Sequence, residues 1–115
     1  MRFDVPLLTT GLALASTASA ASCYSAGGCG TCASNDEVWQ AREQLCGGDR
    51  WKSSTSFNWG WAVVNLSGRF SSQQACWDGF ENIINQCYGK KNGGTYDWNY
   101  NGDSAHLDVN FCTCR

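Results

Sequence analysis

Eight cysteines constrain this chain of 115 residues more than any other feature. Cysteine at this density is typical of small extracellular domains, which bury too little apolar surface to be stable without cross-links. We therefore predict that all eight form structural disulfides. Eight cysteines can pair in roughly a hundred ways, and the sequence does not choose among them. They are Cys23, Cys29, Cys32, Cys46, Cys76, Cys87, Cys112 and Cys114.

The first twenty residues have the pattern of a secretory leader. Met1-Arg2 precedes the apolar run PLLTTGLALA, and Ala18-Ser19-Ala20 matches the small-residue pattern of a cleavage site. The apolar run is too short to span a bilayer. We therefore predict a signal peptide over residues 1–20, a single domain over residues 21–115, and a secreted mature chain.

The charge distribution argues against two classes of partner. The formal net charge is −2, and the basic residues are scattered, with only Lys90 and Lys91 adjacent. A nucleic-acid-binding surface needs clustered cations, and a helix that lies on a membrane needs a basic amphipathic face. We therefore expect no nucleic acid partner and no membrane insertion.

A first helix is predicted after the Ser-, Gly- and Cys-rich segment 21–33. Ser34 and Glu37 have the spacing of a capping box, which satisfies two backbone N–H groups at a helix start. Gly47-Gly48 is a typical end signal. The apolar stripe between these signals consists of Val38, Ala41 and Leu45, with Trp39 and Cys46 beside it.

A second helix is predicted from Ser71-Ser72-Gln73-Gln74, another capping-box candidate, to Gly89. Its apolar face carries two cysteines eleven residues apart, so we expect each to bridge to a different neighbour. This face consists of Cys76, Phe80, Ile83 and Cys87, flanked by Ile84 and Tyr88.

Between the helices, the apolar and β-branched segment FNWGWAVVNL predicts one strand over residues 57–66. After the second helix, TYDWNY (95–100) and HLDVNFCTC (106–114) predict a hairpin connected by NGDSA. Cys112 and Cys114 lie two residues apart, so they should bridge to separate partners. The core face of the returning strand should consist of Leu107, Val109 and Phe111.

This order of elements predicts an α+β fold. We expect a small disulfide-stapled α/β sandwich, in which a mainly antiparallel sheet packs against two principal helices. A domain of this size has little room for a deep cleft.

No motif specifies a catalytic centre. Cys29-Gly30-Thr31-Cys32 has no second pair with which to form a zinc site, and His106 is the only histidine. A His106–Asp108 pair leaves a small secreted ribonuclease as one hypothesis, although general acid–base catalysis needs a second group. Asp97, Asp103 and Asp108 have no spacing diagnostic of a glycosidase. We therefore predict no enzymatic activity, no metal and no cofactor.

Two segments of the sequence carry a family resemblance: SSQQACWDGFENIINQCYGKKNGGTY and AHLDVNFCTC. They resemble the signature of small secreted fungal proteins whose founding member is a mushroom glycan-binding protein with antiviral activity. A more distant similarity is to a virally encoded fungal killer toxin with a disulfide-rich α/β sandwich. The resemblance implies a lectin-like protein that binds fucosylated or N-acetylgalactosamine-bearing glycans, in defence or as an effector. A toxin acting on a membrane protein is the alternative.

The candidate glycan site is argued from side-chain chemistry. A sugar needs an aromatic face for its C–H groups and fixed polar groups for its hydroxyls. The stretch YDWNYNGD offers both types, and the rival stretch NWGW offers Trp59 and Trp61 around a glycine. Whether the protein dimerises to gain avidity stays open. The residues of the first stretch are Tyr96, Asp97, Trp98, Asn99, Tyr100 and Asp103.

One modification site is also predicted. Asn65-Leu66-Ser67 is an acceptor sequence for N-glycosylation, which takes place only on chains that enter the secretory pathway. Its position near the end of a predicted strand favours exposure of Asn65 at the surface.

Overall fold

The computed structural model describes residues 20–25 and 31–113, so the predicted leader over 1–20 lies almost wholly outside the described residues. Within the described residues, the chain forms five strands and two α-helices, each kind numbered in chain order. The helices are α1 (Asn35–Cys46) and α2 (Gln73–Cys87). The strands are β1 (Ser22–Tyr24), β2 (Thr55–Trp59), β3 (Ala62–Gly68), β4 (Gly93–Tyr100) and β5 (Asp103–Asn110).

Both predicted helices are present, and their first turns differ in detail. Ser34 and Glu37 form the predicted capping box of α1. In α2 the cap is Ser72, whose side chain accepts a hydrogen bond from the Ala75 amide. The third helical residue is therefore an alanine, so the capping box predicted at the second helix is wrong, because a box needs Glu or Gln there.

The predicted single strand over 57–66 is a hairpin. Gly60 has φ +60° and forms a turn with Trp61, so the chain reverses between β2 and β3. Apolar composition alone does not separate one long strand from two short ones, and a glycine in left-handed conformation is a device for reversal. Phe57 and Trp59 therefore pair across the turn with Val64 and Ala62.

The terminal hairpin is present with a shorter connection than predicted. Asn101 and Gly102 have φ values of +49° and +87°, so they form a tight two-residue turn. Asp103 already pairs with Tyr100. Leu107, Val109 and Phe111 are buried, as predicted.

The five strands form one antiparallel sheet in the order β1-β4-β5-β3-β2. Both helices pack on the same face of this sheet, and the apolar core lies between the two layers. The other face has no covering layer among the described residues and carries mainly polar side chains. We call it the open face. This arrangement confirms the predicted disulfide-stapled α+β fold.

Three disulfides lie within the described residues: Cys23–Cys87, Cys32–Cys112 and Cys46–Cys76. They join β1 to α2, the segment before α1 to the residues just after β5, and α1 to α2. The two cysteines of α2 therefore bridge to different neighbours, as predicted. Cys32 of the CxxC segment is structural, and Cys29 and Cys114 lie outside the described residues.

Candidate functional site

The three aromatic residues of β4 differ steeply in exposure. Tyr96 is 8% exposed, Trp98 is half-buried, and Tyr100 is 59% exposed. All three side chains lie on the helix side of the sheet because they occupy alternate positions of one strand. The series therefore runs from the core to the surface at the end of the sheet where β4 turns into β5.

Trp98 connects the core to the surface. Its ring centroid is 5.4 Å from that of the buried Phe70 and 6.2 Å from that of Tyr100. Tilted ring contacts of this kind hold aromatic side chains in defined orientations. Trp98 and Tyr100 therefore form an ordered aromatic surface.

A cleft of about 530 Å³ lies between this surface and the first turns of α2. It combines three rings with hydroxyl, amide and carboxylate groups, which is the composition that sugar binding needs. We call it the aromatic cleft. It is lined by Ser71, Ser72, Gln74, Ala75, Asp78, Tyr96, Trp98 and Tyr100.

The polar wall of the aromatic cleft is preorganised by α2. Gln74 and Asp78 are four residues apart on the helix, and the Gln74 Nε2 atom donates to Asp78 Oδ1 at 2.8 Å. Burial, together with the negative charge of Asp78, raises the pKa of Tyr96. Tyr96 therefore keeps its proton well into the alkaline range and stays an uncharged part of the cleft.

The floor of the cleft depends on a glycine in the middle of α2. A Cβ atom at Gly79 would lie 2.8 Å from Cδ2 of Tyr96, so the ring occupies the space of the missing side chain. Glycine inside a helix lowers its stability by about 1 kcal/mol relative to alanine. Here it permits close contact between α2 and β4.

The structure separates two of the predicted polar residues from the aromatic ones. Asp97 and Asn99 lie on the open face, and the Asp97 carboxylate is paired with His106 Nδ1 at 2.5 Å. Asp103 accepts from Nε and Nη2 of Arg69 at 3.1 and 3.0 Å. Asp103 and Arg69 line a smaller cleft, which adjoins the aromatic cleft at Ser71.

The rival pair, Trp59 and Trp61, lies at the opposite end of the sheet. Ala105 pairs with Gly68 on one side and with Trp98 on the other, so Trp98 lies level with the Gly68 end of β3. Trp59 pairs with Ala62, at the other end of β3. Six residues of strand separate the two levels by about 20 Å. Both rings are half-buried, and Trp59 Nε1 donates to Gln40 Oε1 at 3.0 Å.

His106 pairs with a different carboxylate from the one in the ribonuclease hypothesis. His106 and Asp108 share the open face, but His106 contacts Asp97, and Asp108 accepts a hydrogen bond from the Tyr24 hydroxyl at 2.6 Å. Within the described ranges, no three His, Cys, Asp or Glu side chains cluster as metal ligands would. In the same ranges, no helix has the length and apolar character needed to cross a membrane.

A comparison with protein-family models matched residues 33–115 to a family described as alpha-galactosyl binding lectin. The match covers well over half of the chain. The chain belongs to this lectin family. A search of curated proteins found no significant match. A carbohydrate-binding, lectin-like role is thereby established in general terms, and the expected lectin resemblance is confirmed at that level.

Sequence reasoning missed the helix side of the lectin's aromatic cleft. The sequence pattern indicates Gln74 and Asp78 only as part of a helix, although both belong to its polar face. Their spacing of four residues was the available signal, since it places both on one side of α2. That this side meets β4 depends on tertiary packing, which no local pattern contains.

Proposed function

We propose that the lectin binds terminal α-galactosyl residues of glycans in the aromatic cleft and does no chemistry on them. The observation that supports this proposal is that the ordered aromatic surface of Trp98 and Tyr100 shares a cleft with a polar wall on α2. The chain also belongs to the alpha-galactosyl binding lectin family. The role of each group follows from the shape of the sugar.

A galactose ring has one axial hydroxyl, and this leaves one face of the ring with contiguous C–H groups. This face of the sugar stacks on an indole ring because the sugar C–H groups are slightly positive and the π face of the indole is negative. Trp98 is the stacking residue in this proposal, and Tyr100 extends the platform. Asp78 and Gln74 on the opposite wall bind the hydroxyls, since a carboxylate accepts and an amide both accepts and donates.

Galactose and N-acetylgalactosamine share the axial 4-hydroxyl and the C–H face beside it, whereas the fucose of glycans belongs to the mirror-image L series. The same cleft therefore suits galactose and N-acetylgalactosamine, and the family description favours the α-galactosyl group. A mannose or glucose ring presents a different face to Trp98, so we expect it to bind weakly.

The test is calorimetric titration of the oxidised protein with methyl α-galactoside, N-acetylgalactosamine, fucose and methyl α-mannoside. We expect the α-galactoside to bind best, and Trp98→Ala and Asp78→Asn each to weaken it by about tenfold or more, equivalent to about 1.4 kcal/mol. A Trp59→Ala variant is the matched control, because it removes an indole at the other end of the sheet.

Two results would contradict the proposal. Loss of binding in Trp59→Ala with full binding in Trp98→Ala would move the site to the rival tryptophans. A parent protein that binds none of the four sugars would remove the aromatic cleft as a site for simple galactosides. Thermal unfolding of each variant shows whether a lost affinity reflects a lost fold.

We also propose that the leader over residues 1–20 is removed and that the mature lectin is secreted. The backbone nitrogen of Ala21 donates to Asn82 Oδ1 at 2.8 Å, and the Ala21 side chain packs against the core. An α-amino group at Ala21 can keep this hydrogen bond, so cleavage there is compatible with the fold. Disulfides are typical of an oxidising compartment, which also supports secretion. Amino-terminal sequencing of the protein from culture medium should begin at Ala21.

A further inference from the structure

The acceptor sequence Asn65-Leu66-Ser67 lies within β3, a strand that has a neighbour on each side. Leu66 is buried beneath the helices, so its two neighbours point to the opposite side. Asn65 and Ser67 are both exposed on the open face. The modifiable amide and the hydroxyl that completes its acceptor sequence therefore stand side by side on a surface that no helix covers.

The Asn65 amide is held in a way that leaves its nitrogen available. Its Oδ1 atom accepts a hydrogen bond from the Ser56 hydroxyl of β2. Its Nδ2 atom has no hydrogen-bond partner among the residues that the structure describes. On the other side, Asp108 pairs with Asn65 across the sheet and is itself bonded to the Tyr24 hydroxyl. The neighbours of Asn65 thus engage its oxygen, and modification of the nitrogen breaks no hydrogen bond to a described residue.

We propose that Asn65 carries an N-linked glycan in the secreted protein. In the transfer step, the Asn65 nitrogen attacks the first sugar carbon of a lipid-pyrophosphate-linked oligosaccharide. A C–N bond forms, the C–O bond to the lipid pyrophosphate breaks, and the amide loses one proton. Transfer precedes folding, and the folded sheet accommodates the product because Asn65 is exposed and its Oδ1 atom keeps its hydrogen bond. This inference rests on the secretion proposed above, and not on the sugar specificity.

The position of Asn65 sets what the glycan covers. The surrounding residues of the open face are small or polar, among them Ser56, Ser67 and His106. Hydroxyl-rich sugars contact such a surface without burying unpaired polar groups. The aromatic cleft lies on the helix side of the sheet. The glycan therefore shields the open face and leaves the galactoside site accessible.

The test is secretion of the full chain from a yeast host, followed by intact mass measurement with and without peptide N-glycosidase. We expect the parent to carry an excess mass that the enzyme removes, leaving aspartate at position 65 in the peptide map. Asn65→Gln and Ser67→Ala should abolish the excess mass. Ser67→Thr should retain it, because threonine completes the acceptor sequence and suits a strand.

Asn58→Gln is the matched control. Asn58 is an exposed asparagine of the neighbouring strand β2, and Trp59 and Gly60 follow it, so it is not an acceptor. This variant should keep the glycan. Asn65→Gln should bind methyl α-galactoside within about twofold of the parent, since the glycan lies on the other face of the sheet.

Three other outcomes overturn the proposal. A secreted parent without excess mass, or an excess that persists in Asn65→Gln, would exclude Asn65 as the carrier. A chain retained in the cell without a glycan would overturn the secretion proposal and this one together. If the parent carries the glycan but does not bind methyl α-galactoside, the glycan assignment stands and only the proposed sugar specificity is contradicted.

Discussion

Tyr24 and Asp108 join the edge of the sheet to its centre on the open face. The Tyr24 hydroxyl donates to Asp108 Oδ1 at 2.6 Å, and the tyrosine ring lies over Gly93, where a Cβ atom would come within 2.7 Å of it. Burial is the larger cause that raises the pKa of Tyr24, and the Asp108 carboxylate adds to it. Folding therefore favours the protonated hydroxyl of Tyr24.

A pH dependence of stability follows from this pair. A raised pKa means that the folded state binds the proton more tightly, so the stabilisation is complete below the ordinary tyrosine pKa of 10.0 and is lost as the pH rises above it. Tyr24→Phe should lower the free energy of unfolding by roughly 1–2 kcal/mol near neutral pH, since Asp108 loses its donor. Above about pH 10, the difference between parent and variant should shrink.

The measurement is urea unfolding of both proteins at a series of pH values from about 7 to 11. Groups that titrate in both proteins cancel in the difference, which isolates Tyr24. The exposed Tyr100 supplies the control, because Tyr100→Phe removes a hydroxyl that lacks a carboxylate partner among the described residues. Parallel curves for parent and Tyr24→Phe across the alkaline range would show that the pKa argument is wrong.

At the scale of elements, the contact between α2 and β4 forms the aromatic cleft. Gly79 lets the Tyr96 ring lie against the helix backbone, with Phe70 packed beside them. The sequence shows only a glycine within a strongly amphipathic helix. The reason for this glycine is evident only in the folded structure, where the Tyr96 ring of β4 occupies the volume that a methyl group would fill.

Gly79→Ala should therefore destabilise the protein despite the better helix propensity of alanine. The gain in propensity is about 1 kcal/mol, whereas overpacking against a rigid ring costs about 1–3 kcal/mol and displaces Tyr96. Chemical denaturation should show a net loss, and methyl α-galactoside should bind more weakly. Gly48→Ala is the control, since its Cβ atom meets nothing within 4 Å. A Gly79→Ala variant as stable as the parent would mean that the contact can relax.

At the scale of the whole molecule, disulfides connect elements that are distant in sequence. The three described bridges span 64, 80 and 30 residues. Each is worth about 2–4 kcal/mol, so together they are comparable with the net stability of a typical domain, about 5–15 kcal/mol. A two-layer domain of this size depends on them because its single core is small.

Complete reduction should therefore unfold the lectin at moderate temperature. Far-UV circular dichroism of the reduced and alkylated protein should lose most of its helix and strand signal, and galactoside binding should disappear with it. The double variant Cys46→Ala with Cys76→Ala removes only the link between α1 and α2, at an expected cost of about 3–4 kcal/mol. A native spectrum after full reduction would show that the core is sufficient without the bridges.

Local patterns predicted much of this architecture. Ser34 and Glu37 define the start of α1, and the Asn101-Gly102 pair defines the terminal turn, because each depends on groups within a few residues of one another. The alternation in β4 predicted that Tyr96, Trp98 and Tyr100 share a face. The abundance of cysteine predicted a disulfide framework, since composition alone reflects that requirement.

Long-range packing settled the remaining features. It placed the turn at Gly60 inside an apolar run, chose the disulfide partners, and decided which face of β4 the helices cover. It also brought Gln74 and Asp78 of α2 to the aromatic residues of β4. These features join residues that are far apart in the chain, and their free energy comes from burial and complementary shape in the folded state. Local periodicity carries no record of those contacts, so only the tertiary structure could decide where the aromatic cleft forms.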